Sequence, residues 1–83
     1  MLISKLDSKF DVSIAEIDGE WEARIIEHNA SRITSTCHLR HRWTSLELAL
    51  EGVQRRWQRL FPGDPTPDFR DAIAEPLAAS CSY

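Results

Sequence analysis

The chain has 83 residues, a formal net charge of −3, 42% hydrophobic and 28% charged residues. That size fits one domain with a small core, and the composition excludes global disorder. No apolar run approaches the roughly 18–20 residues that span a bilayer, and Met1-Leu2-Ile3 runs straight into Ser4 and Lys5, without the apolar region of a signal peptide.

Phe10, Val12 and Ile14 alternate with Asp11 and Ser13, the period of a half-buried strand. Asp18-Gly19 suits a type I′ turn, in which both central residues have positive φ. Trp21, Ala23 and Ile25 then alternate with Glu22 and Arg24. A two-residue loop pairs Ile17 with Glu20, Ile14 with Ala23 and Val12 with Ile25, so the apolar residues of both strands share one face.

Residues 32–40 alternate again, with Ile33, Ser35, Cys37 and Leu39 against Arg32, Thr34, Thr36, His38 and Arg40. A three-residue connection, Asn29-Ala30-Ser31, would pair His28 with Arg32, Glu22 with His38 and Glu20 with Arg40. Opposite charges across strands are stabilising. A three-stranded antiparallel meander follows, with Cys37 in the core. A short extra strand at Leu2-Ile3 is compatible with it.

Thr44 and Glu47 form a capping box, and Leu46, Ala49, Leu50, Val53, Trp57 and Leu60 recur at helical spacing. Glu51 and Arg55 make a favourable i,i+4 pair. Gly52 costs the helix about 1 kcal/mol relative to Ala unless close packing on the sheet requires it. Trp21 and Trp57 fit the core faces, whereas Trp43 fits neither period and is placed as a staple at the helix start. Pro62-Gly63 stops the helix. Thr66 and Pro67 then open a short helix to about Glu75, and Pro76 ends it.

The fold class is therefore α+β: a three-stranded antiparallel sheet on one long amphipathic helix, plus a short C-terminal helix. Residues 1–61 form the βββα core. Residues 62–83 add a Pro-rich connector, the short helix and a polar tail to the same domain.

Charge is segregated along the chain. Residues 1–31 carry seven acidic and three basic side chains, residues 32–60 six arginines and two glutamates, and residues 61–83 four acids and Arg70. Such blocks mark charged partner surfaces or neutralise one another within the fold. Asp18, Glu20, Glu22 and Glu27, with Arg24 as a specificity element, are candidates for meeting a basic protein surface. Arg40, Arg42, Arg55, Arg56 and Arg59 are the alternative candidates, for phosphate contacts.

No catalytic, metal or cofactor site is expected. The glycines form no phosphate loop and no serine sits in a nucleophile elbow. In Cys37-His38-Leu39-Arg40-His41, strand geometry sends Cys37 and His38, and His38 and His41, to opposite faces. With only Cys37 and Cys81 there is no disulfide framework, and reduced thiols in the cytoplasm are expected.

The run Thr44-Ser45-Leu46-Glu47-Leu48-Ala49-Leu50 after a strand hairpin resembles the βββα core of HicB-like antitoxins over roughly residues 10–60. That resemblance implies an exposed sheet that blocks a toxin. Here a Pro-rich connector follows the helix, and no DNA-binding appendage is expected within these 83 residues. In size, acidity and architecture the chain is also similar to small phage-encoded anti-CRISPR proteins. That likeness implies a stoichiometric inhibitor, monomeric or homodimeric, that binds a CRISPR effector subunit and blocks target nucleic-acid binding. Those families share no motif, so no residue is carried over.

Overall fold

The computed structural model describes residues 1–74. Four strands, β1 (Leu2–Lys5), β2 (Ser8–Ile17), β3 (Glu20–Asn29) and β4 (Thr34–Trp43), precede the helix α1 (Leu46–Leu60) and a 3₁₀ turn, Phe69–Ala72. The strands form one antiparallel sheet in the order β1-β2-β3-β4. The architecture is α+β as expected, but the sheet has four strands rather than three, because the short N-terminal segment pairs fully with β2.

The β2–β3 hairpin follows its turn. Asp18 and Gly19 both have positive φ, 53° and 82°, and Ile17 pairs Glu20, Ile14 pairs Ala23 and Val12 pairs Ile25. Phe10, Val12, Ile14, Ala23 and Ile25 are all buried against Ala49, Val53 and Trp57 of α1. The opposite face of the sheet is covered by no element among the described residues.

The β3–β4 register differs from expectation. Asn29 Oδ1 accepts from the Arg32 amide at 3.1 Å, and β4 starts pairing only at Thr34, opposite Asn29. The loop is thus four residues, with Ile33 in a left-handed conformation (φ 51°) and 92% exposed. A bulge between Ile25 and Ile26 then takes β4 from Cys37 directly to Leu39, leaving His38 as the extra residue. Both changes slide the strand, so Glu22 faces Arg42 rather than His38, and Arg24 faces Arg40. They also separate Cys37 from Leu39: Cys37 is exposed instead of buried, and the His38 ring stacks on Phe10, 5.7 Å between centroids.

The helix cap is Ser45 rather than Thr44, its side chain accepting from the Leu48 amide at 3.3 Å. Trp43 packs beside Gly52, well into the helix, instead of stapling its start. Trp57 is fully buried, edge-on to Phe10 and Phe69. The second helix is a single 3₁₀ turn capped by Asp68, whose side chain accepts from the Arg70 amide. It starts two residues later than expected, and Phe69 and Ala72 join the same core. The expected end of this helix near Glu75, the stop at Pro76, the tail 77–83 and Cys81 lie outside the described residues. No helix among the described residues is long and apolar enough to cross a membrane.

Candidate functional site: a basic groove at the sheet edge

The α1 sequence carries two parallel stripes. Ala49, Val53 and Trp57 turn into the core. Gly52, Arg55, Arg56 and Arg59, related by i, i+3, i+4 and i+7, turn beside it. Because α1 lies over β3 and β4, and β4 ends the sheet, the arginine stripe faces the edge strand across an open groove of about 460 Å³.

Six basic residues line it: Arg55, Arg56 and Arg59 from α1, and His38, Arg40 and His41 from β4, with the Arg40 side chain reaching round to the open face beside Glu22. No carboxylate among the described residues lines it. Trp43 and Gly52 close one end, and the His41 ring meets Trp43 edge-on at 4.6 Å. Arg55 also pairs with Glu51 one helical turn back. Both groups are exposed, so that pair is weak and readily exchanged for another anion.

Of the five arginines expected to act together, Arg40, Arg55, Arg56 and Arg59 meet in the groove. Arg42 does not line it and projects to the open sheet face, where Glu22 accepts from it. Glu22 is only 5% exposed and is held there by three arginines. Arg24 Nε lies at 2.6 Å, Arg42 Nε at 3.1 Å and Arg40 Nε at 3.9 Å. The hydrogen bonds from Arg42 and Arg24 hold its carboxyl below the usual glutamate range.

The five residues expected at an acidic hairpin surface, Asp18, Glu20, Glu22, Arg24 and Glu27, do not share one face. Asp18 is exposed at the β2–β3 turn with Glu20 next to it. Glu22 and Arg24 are paired with each other on the open face. Glu27 faces Phe10, on the helix side. There it accepts from Ser8 Oγ at 2.6 Å and pairs with His38 Nε2 at 2.8 Å, which holds its carboxyl below the usual range. The acidic and basic blocks of the sequence therefore partly neutralise each other, with Glu22 at the join.

The hub role of Glu22 was hidden behind the wrong strand register. Its one signal was the row of arginines at 24, 40 and 42, which converge only when β4 is bulged. A second cleft lies between the β1–β2 turn and the β3–β4 loop, where the exposed Leu6 and Ile33 both have positive φ. No group of three metal-ligating side chains is present among the described residues. No family model matches the chain, and no curated protein and no solved structure matches it.

Proposed function

We propose that this protein is a small binding module that holds a nucleic-acid phosphate backbone in the groove between β4 and α1. One observation carries the reading: four arginines from two different elements line a single open groove that no carboxylate among the described residues lines. Guanidinium groups suit phosphate because they are always charged and offer paired donors in a rigid fork. Placing them on a helix and an edge strand keeps their spacing fixed. The affinity then comes chiefly from displaced counterions, and is sequence-independent.

The test is fluorescence anisotropy with labelled duplex and single-stranded oligonucleotides across a salt series. Four phosphate contacts imply a slope of log K against log salt of about −3 to −4. Changing Arg55, Arg56 and Arg59 together to Gln should remove most of the binding. Unaltered binding by that variant sinks the reading.

A second reading rests on a different observation. Asp18 and Glu20 stand at the tip of the β2–β3 hairpin without an ion-pair partner among the described residues. In that reading the tip meets the nucleic-acid-binding surface of a CRISPR effector complex and inhibits it. Reversing both charges should slow association with the effector. Inhibition at an unchanged rate by the reversed variant excludes it.

A further inference from the structure

We infer that Arg24, Arg40 and Arg42, organised by Glu22, form a second phosphodiester site on the open face of the sheet, across the β4 edge from the groove. The inference rests on the nucleic-acid reading above and names the path of the same ligand.

Cross-strand register places Arg24 directly opposite Arg40. Like charges in that position are destabilising. They are tolerated here because Glu22, one row along and opposite Arg42, sits between them. One carboxylate cannot neutralise three guanidiniums, so the cluster keeps a net positive charge of two. It is also wet: the three arginine side chains are 43%, 67% and 42% exposed, in sequence order.

The geometry leaves the arginines ready for another anion. Arg24 and Arg42 both donate to Glu22 through Nε, and Arg40 also approaches it through Nε. A guanidinium has five N–H donors. The terminal nitrogens of all three have no hydrogen-bond partner among the described residues. Glu22 thus acts as a positioning residue. It anchors the inner edge of the Arg24 and Arg42 forks and leaves their outer donors facing solvent, so less side-chain freedom is lost when an anion binds.

Continuity identifies the anion. Arg40 lines the groove and also lies 3.9 Å from Glu22. The groove arginines and the open-face cluster are therefore one positive surface that wraps the edge strand. A phosphodiester backbone supplies successive charges along such a path, whereas a single phosphate fills only one site.

The unaltered chain tests this directly. Arginine Nε–Hε signals are followed by NMR while either inorganic phosphate or a short oligonucleotide is added. The expected result is movement of the Arg24 and Arg42 signals with both, and at lower concentration with the oligonucleotide. Movement with phosphate alone assigns a free-oxyanion site and overturns the continuous path.

The variant R24Q/R42Q supplies the second arm. Its oligonucleotide salt slope should be shallower than that of the parent by about two. If the parent binds with a slope lost on changing Arg55, Arg56 and Arg59, while R24Q/R42Q keeps the full slope and the Arg24 and Arg42 signals stay still, this inference fails and the groove stands. No binding by the parent to any oligonucleotide, with no signal movement, overturns both.

Discussion

The indole of Trp43 occupies the space that a Cβ at position 52 would fill, so the helix glycine and the last residue of β4 are fitted to each other. The contact brings α1 close to the edge strand and sets the width of the groove at that end. Gly52→Ala should gain about 1 kcal/mol of helix propensity yet lose more, because overpacking typically costs about 1–3 kcal/mol. Urea unfolding of G52A should therefore show a lower midpoint, with weaker oligonucleotide binding as the groove shifts. A raised midpoint would mean that Trp43 moves aside freely.

Acid should loosen the sheet. Glu22 and Glu27 both have carboxyls held below the ordinary value, Glu22 by Arg42 and Arg24, Glu27 by Ser8 and His38. A depressed folded-state value contributes stability that is full above the unfolded value, about pH 4.3, and is lost as the pH falls through the folded value. The unfolding midpoint should fall as the pH is lowered from about 5 towards 3. E22Q and E27Q should each flatten that descent. A parallel descent in both variants would assign the acid sensitivity to other groups.

Trp57 combines complete burial with an Nε1 donor that has no acceptor among the described residues. Its ring fills the core beside Phe10, Phe61 and Phe69, while the orphaned N–H is a penalty of about 1–3 kcal/mol. Trp57→Ala should cost about 3–5 kcal/mol. Trp57→Phe keeps much of the ring contact and deletes the unsatisfied donor, so its loss should stay under about 1.5 kcal/mol. Equal losses in the two variants, measured by chemical denaturation, would contradict this.

Ile33 is a β-branched residue at φ 51° with its side chain in solvent. The left-handed region costs such a residue roughly 1–2 kcal/mol, and Asn enters it readily. Ile33→Asn should therefore stabilise the fold by about 1 kcal/mol. A thermal midpoint that stays level or drops would show that the loop relaxes at no cost when Ile is present.

What the sequence determined by itself was local. Asp18-Gly19 specifies a turn, the turn specifies a register, and the alternation of Phe10, Val12, Ile14, Ala23 and Ile25 agrees with it, so one hairpin followed without tertiary information. The α1 stripe followed for the same reason, since a 3.6-residue period is written in adjacent residues. Strand β4 is different. Its register depends on where the Asn29 side chain closes the loop and on a bulge at His38, and neither leaves a periodic trace. One extra residue reverses which face each later side chain takes. The longer loop thus exposes Cys37, and the bulge after it turns the faces back, returning Leu39 to the core side and setting Arg40 and Arg42 beside Arg24 around Glu22. The arginines could be named from the sequence, but their assembly into surfaces was decided by long-range pairing, because charge and periodicity do not encode which strand residue lies opposite which.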